Sequence, residues 1–331
     1  MPSLLANALP LCCRYGDGYS EDVLGRALAA CAAEFPRSSY YVATKASESH
    51  LSPALLRSAV QASLARLASP YIDLYQIHWH SRAAVRSQRY PERPLEEEVP
   101  LEETLLALQQ LQREGLIKHI GVCNFGPEDL QHALHIGVPI VSNQICYNLL
   151  WRGCELSGLM SLCQDNQISV LAWSPLQQGL LTGKFSRADD VPSGRARTRL
   201  FSRSRAFQRH GEDGQEAEVF SAIAHLNDAV ACYNSPAASR SATGASPGEE
   251  TVTLATASLA WVLCHPAVAC ALVGARDASQ VHMPAATAGR RSVYRPLLPC
   301  IPPSFTLSSS TAFMLDTDRG QRCICGVAHA A

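Results

Sequence analysis

Tyr15, Lys45 and His78 stand in YGDGYSE (15 to 21), YYVATK (40 to 45) and YIDLYQIH (71 to 78), three side chains whose types suit the reduction of a carbonyl. A phenol, with an unperturbed pKa of about 10, acts as a general acid only when a nearby cation or hydrogen bonds lower it. Lys45 supplies such a cation. An imidazole such as His78 donates to a carbonyl oxygen and stabilises the alkoxide that develops there. Tyr, Lys and His acting without a metal leave the hydride to be delivered by a cofactor.

Elements that alternate along the chain must position these groups. Short apolar or β-branched runs occupy 40 to 45, 71 to 78, 120 to 124, 140 to 144, 169 to 174 and 270 to 276. Between them, helical spacing marks Ser52 to Leu67, Leu101 to Glu114, Gly153 to Asn166 and Val252 to Cys264. Strand and helix in alternation predict parallel strands buried on both faces, in an open doubly wound sheet or a closed barrel. In either, ligands sit at the carboxyl ends of the strands. Lys45, His78, Asn124, Gln144, Ser174 and Arg276 each fall at such an end, so one face gathers them. A dinucleotide fold with G-x-G-x-x-G after its first strand is excluded, and GLLTGKF (179 to 185) has neither the length nor the Ser/Thr of a P-loop.

Composition narrows the partners. With 28 Lys+Arg against 29 Asp+Glu, there is no basic excess to hold nucleic acid or an anionic membrane. The 13 cysteines lack C-x-x-C spacing and read as reduced thiols. No run approaches the ~18 apolar residues that span a bilayer. The N-terminal MPSLLANALPLCCR lacks a basic n-region, so no targeting signal is expected and the location expected is the cytoplasm. PERPLEEEVPLEE (91 to 103) reads as solvated loop followed by an acidic first helical turn.

Taken in order, YGDGYSEDVLG, VATK, YIDLYQIHWH, IGVCNF, SNQICYNLL, AWSPLQQGLLTGK and LVGARDASQ resemble the aldo-keto reductases, especially bacterial and plant members and the β subunits of voltage-gated potassium channels. The resemblance covers roughly residues 15 to 282. It implies a (β/α)8 TIM barrel that binds NADPH across its top and reduces aldehydes and ketones to alcohols. It also implies roles: Tyr15 as proton donor, Lys45 lowering its pKa, His78 orienting the carbonyl. Asn124 and Gln144 would hold the nicotinamide carboxamide, with Cys123 where the family has a serine, and Trp173 would stack on the ring. Ser174, Pro175, Leu176, Gly179 and Lys184 would lie along the diphosphate. Gly274, Arg276 and Gln280 would meet the 2′-phosphate, with Arg199 as a further phosphate contact. No metal site is implied.

The resemblance also predicts departures. Residues 1 to 283 make the barrel, with a low-complexity insertion at 234 to 250 and an atypical, poorly ordered tail from 284 to 331. The family's first strand and helix find no counterpart before Tyr15, so the barrel is expected to be incomplete. Pro10 stands where the family has an aspartate paired with the lysine, which predicts weakened reductase activity and exposed strand edges. Two other readings stay open: a non-catalytic NADPH-binding or regulatory protein, and a metal-dependent hydrolase built on His78-x-His80.

Overall fold

The computed structural model describes residues 8–10 (backbone only), 18–80, 98–191, 216–235, 251–275 and 280. A run such as IDLYQI is stable as a strand only with protein on both faces, and all six of its residues are buried. Among the described residues there are seven strands, β1 (Ala8–Pro10), β2 (Tyr41–Ala46), β3 (Ile72–Ile77), β4 (Ile117–Cys123), β5 (Ile140–Cys146), β6 (Ser169–Trp173) and β7 (Val268–Leu272). They form one sheet in sequential order, every pairing parallel.

The helices are α1 (Tyr19–Ala30), α2 (Pro53–Arg66), α3 (Leu101–Arg113), α4 (Pro127–Ile136), α5 (Gly153–Leu156), α6 (Leu159–Asp165), α7 (Glu216–Tyr233) and α8 (Leu254–Cys264). Sequential order with helical crossovers is the (β/α) barrel arrangement, here left open. Among the described residues β1 and β7 are its two edges, and no pairing joins them. The expectation of an incomplete barrel holds. Pro10 ends β1 opposite Ala43, at an edge, where a missing N–H donor is tolerated.

Register sorts the side chains into two faces. Val42, Tyr75, Ile77, Val122, Ile145 and Val170 join the core beneath the helices. Ala43, Leu74 and Leu171 cluster on the inner face. Residues two apart share a face, so Lys45 follows Ala43 inward and Gln76 follows Leu74. In α3, Leu101, Leu105, Leu108 and Leu111 recur on one face and are buried. At roughly 1.5–3 kcal/mol for each buried leucine, this face rather than intrinsic helix propensity fixes α3. Glu102 and Glu103 fill its first turn, as the acidic run predicted.

Several expected boundaries move, among them the start of β4, which begins at Ile117 rather than Ile120. The helix expected over Gly153 to Asn166 is two helices, because Gly158 takes a left-handed φ of 76° and stops the first. The last strand lies earlier than 270 to 276, at Val268–Leu272, which leaves Gly274 outside it. Residues 236–250 and 281–331, where the low-complexity insertion and the tail were expected, lie outside the described residues apart from Asn234 and Ser235 at the start of the insertion.

Candidate active site

The carboxyl ends of β2 to β6 bring most of the expected residues together. Lys45 is fully buried near the end of β2, and its Cα pairs with that of Gln76. His78 follows β3; its N–H donates to the Ala46 carbonyl at 3.1 Å, which fixes the height of one strand end against the other. His78 is 4% exposed. His80 packs on the Phe125 ring at 5.7 Å between centroids.

Asn124 is the hub between these strands and the next. Its φ of 60° lies in the left-handed region that asparagine tolerates better than most residues. Its N–H donates to the Gln144 carbonyl at 2.9 Å. Its Nδ2 donates to the His78 carbonyl at 3.2 Å and to Cys123 Sγ at 3.1 Å. Its Oδ1 accepts from Trp173 Nε1 at 3.1 Å. One amide thus braces β3, β4 and β6 together.

Gln144 differs. It pairs in register with Cys123 and is 2% exposed, yet its Oε1 is buried without a hydrogen-bond partner. A buried acceptor left unmet costs ~1–3 kcal/mol, so this oxygen is matched to a donor from a ligand or solvent.

Beyond β6 the backbone turns sharply. Ser174, Gln177 and Gln178 have φ of 51°, 44° and 54°, and Gly179 follows at 95°. A Cβ built on Gly179 would lie 3.2 Å from Lys184 Nζ, so the bare glycine lets the ammonium sit directly over the loop. Pro175 is buried, and Leu176 packs against the cluster formed by Leu180, Leu181, Val219 and Leu226 under α7 and α8. Gly274 and Gln280 are exposed. Tyr15, Arg199 and Arg276 lie outside the described residues.

Two supports were not anticipated. Glu21, completely buried in α1, accepts from Thr44 Oγ1 at 2.6 Å and from Arg66 Nε at 2.7 Å, tying α1 to the residue beside Lys45 and to α2. A built Cβ on Gly25 would sit 2.2 Å from the Arg66 carbonyl, so the two helices meet closely only through glycine. Asp73 Oδ2 accepts from the Val42 N–H at 2.8 Å and from Arg37 Nη2 at 2.5 Å, and Arg37 lies over the Tyr71 ring. The acids in YSE and YIDLY were visible in the sequence. Their partners, 23 to 45 residues away, were not.

Among the described residues no group of three His, Cys, Asp or Glu could hold a metal ion. No described helix is long and apolar enough to cross a membrane.

The profile of the Aldo/keto reductase family matches residues 6–287. The chain belongs to this family. It is 35% identical over 199 residues to the NADH-specific methylglyoxal reductase of Escherichia coli, covering 54% of this chain and 55% of the relative. It is 27% identical over 282 residues to a putative voltage-gated potassium channel subunit beta of Schizosaccharomyces pombe, covering 81% and 70%. The structure of a glycerol dehydrogenase from Gluconobacter oxydans is similar, with a TM-score of 0.63, 26% identity and coverage of 88% and 80%. An aldo-keto reductase from Klebsiella pneumoniae in complex with NADPH gives a TM-score of 0.58 at 25% identity, covering 92% and 84%. The chain spans about half the length of the first curated relatives it matches, 55% and 48% in two of them.

Proposed function

We propose that this chain binds a nicotinamide dinucleotide, NADPH in preference to NADH, and reduces small aldehydes or ketones to alcohols. The observation that carries the reading is the partnerless Gln144 Oε1 beside the Asn124–Trp173 brace, with Lys45 and His78 on the adjoining strands. An amide oxygen in that position suits the N–H of a carboxamide. When bound, the dinucleotide supplies the hydride.

The chain's own residues do the rest. Gln144 accepts from the carboxamide, and the rigidity of Asn124 keeps Trp173 and Cys123 in place against the ring. The loop from Ser174 to Gly179, left-handed at Ser174 and again from Gln177 to Gly179, with Lys184 against Gly179, offers the diphosphate a cation and, at the glycine, an approach free of side-chain bulk. Gly274, Gln280 and, from the sequence alone, Arg276 and Arg199 are assigned to the adenosine end. His78 donates to the carbonyl oxygen, and Tyr15 gives it a proton, its pKa lowered by Lys45.

A non-catalytic, cofactor-binding role is the second reading. It is favoured by Pro10, which brings no carboxylate to the end of β1, and by the likeness to the potassium channel subunit relative. A single set of assays decides between them: calorimetric titration of NADPH and NADH, then NADPH oxidation with a panel of aldehydes, for the native chain and Tyr15→Phe. Turnover lost in Tyr15→Phe with cofactor affinity kept supports the reductase. Binding without turnover in the native chain supports the second reading, and equal affinity for both cofactors ends the assignment of Arg276.

A further inference from the structure

The loop that follows β6 holds three non-glycine residues in the left-handed region, and each such residue costs on the order of 1 kcal/mol. Something must hold it there. Asn148, fully buried in the turn after β5, is placed to do so. Its own backbone is fixed by a bridge to Trp151, with N–H to carbonyl distances of 3.2 and 3.0 Å. Its Oδ1 accepts from the Leu150 N–H at 3.0 Å, which orients the amide. Its Nδ2 then donates to the Ser174 carbonyl at 3.0 Å and to Gln177 Oε1 at 2.9 Å, with a longer contact to Cys146 Sγ at 3.8 Å.

Ser174 and Gln177 are two of the three left-handed residues, so one amide holds the first through its carbonyl and the second through its side chain. The pinning also has an electrostatic result. Carbonyl and carboxamide oxygens repel an anion, and Asn148 turns two of them inward, 7% of Gln177 remaining exposed. Further along the same loop, the Lys184 ammonium lies against the bare backbone of Gly179.

We infer that Asn148 is a positioning residue for the diphosphate of the dinucleotide, acting through the Ser174–Gly179 loop by locking its left-handed backbone and withdrawing two oxygens from the anion. The inference rests on the dinucleotide reading above and assigns a further residue to that site. Asn148 makes no contact with the cofactor itself.

The test uses the full chain and three calorimetric probes: NADPH, 2′-phospho-ADP-ribose (diphosphate without nicotinamide) and adenosine 2′-monophosphate (no diphosphate). Asn148→Asp keeps the acceptor for Leu150 and removes the donor, while Asn148→Ala removes both. Both should weaken NADPH and 2′-phospho-ADP-ribose about tenfold, the cost of losing one or two buried hydrogen bonds, and leave adenosine 2′-monophosphate within about twofold. Should neither variant fold, Gln177→Ala cuts one arm at the loop and should show the same pattern at about threefold. Equal losses on all three probes, or unchanged affinity for 2′-phospho-ADP-ribose, overturn the role of Asn148 alone. A native chain that binds none of the probes overturns the dinucleotide reading, and this inference with it.

Discussion

The two flanks of the site are supported by different chemistry. Behind Lys45 and His78, on β2 and β3, the supports are charged: Glu21 with Arg66 and Thr44, and Asp73 with Arg37. On β4 to β6, the strand ends and the loop after β6 are held by neutral amides, Asn124, Asn148 and Gln177, acting on left-handed backbone. The charged pair on this side, Arg152–Glu155, lies further back at α5, where it takes the Tyr147 hydroxyl. Charged pairs tie distant elements together strongly when buried, and they suit a flank whose task is to fix the height of two strands. Amides carry no net charge, so they shape a loop without adding a field that would oppose or trap an anion. Under the proposed function, the charged flank places the reacting groups and the amide flank receives the ligand.

Replacing a residue of each flank sharpens this division. Lys45→Met should lower aldehyde turnover by at least about 100-fold while changing the NADPH dissociation constant by less than about threefold, because the proposed mechanism has Lys45 act on proton transfer rather than on binding. Steady-state kinetics beside calorimetry read both quantities. A Lys45→Met chain that loses cofactor affinity in step with turnover would break the division, since one residue would then serve both flanks.

The charged supports should dominate stability. Glu21→Ala strips a completely buried carboxylate from Arg66 and Thr44, and should lower unfolding free energy by ~3 kcal/mol, somewhat moderated because the Arg66 side chain is 29% exposed. Arg57–Glu114 gives the contrast. There the guanidinium and Gln110 hold the Glu114 carboxyl down to about 2, but both groups face solvent, and Arg57→Ala should leave the urea midpoint unchanged. Comparable losses in the two variants would mean that burial is not what makes the Glu21 pair matter.

How far these features were legible in the sequence follows from the range of the forces involved. The strand ends were legible to within about two residues, because a polar residue closing an apolar run is a local signal: His78, Asn124 and Ser174 directly follow their strands, Lys45 and Gln144 lie one and two residues before the ends of theirs, and Arg276 lies outside the described residues. The parallel pairing followed from alternation, whereas the sequential order of the strands followed only from the family resemblance. The break at Gly158 was missed because helical spacing continues across it and only the left-handed backbone of that glycine reveals the stop. Asn148 was missed for another reason: it sits in YNLL among apolar residues, and its importance comes from Ser174 and Gln177, 26 and 29 positions later. Side-chain to backbone bonds across such spans leave no period to read.

A smaller effect tests the packing between the flanks. Lys45, Gln76, Gly121 and Ser142 are successive partners across β2 to β5. A Cβ on Gly121 would lie 2.4 Å from Ser142 Oγ and 3.1 Å from Gln76 Cγ. Gly121→Ala should therefore cost ~2 kcal/mol, the usual range for overpacking an interior site. Adding Ser142→Ala removes the clashing hydroxyl, itself buried without a partner, and should recover about half of that loss. Purely additive losses in the double variant would show that Ser142 is not what Gly121 makes room for.

The last prediction uses pH to separate the flanks. Burial pushes the Cys154 thiol up to about 12, helped by the Glu155 carboxylate, and burial pushes Cys163 up to about 12 as well, opposed by a hydrogen bond from Asn143. Both lie behind β5 and β6, on α5 and α6. A free thiol titrates at about 8.5. Between that value and 12 the unfolded chain has lost protons that the folded chain keeps, so unfolding is favoured as pH rises. The stabilisation is complete below about pH 8.5 and falls by on the order of 1 kcal/mol per pH unit per thiol above it. Tyr147, raised by burial and by its bond to Glu155, adds a loss of the same sign at higher pH. Urea midpoints at pH 7, 8.5 and 10 measure the fall, and Cys163→Ala identifies its source. That substitution lowers stability at every pH through the cavity it leaves, so the informative quantity is the slope. The slope between pH 8.5 and 10 should be shallower in Cys163→Ala than in the native chain. Glu21→Ala, on the other flank, should shift the whole curve down and keep the native slope. Parallel curves for native and Cys163→Ala would mean that this thiol is not held protonated by its burial, and that the alkaline limb arises elsewhere.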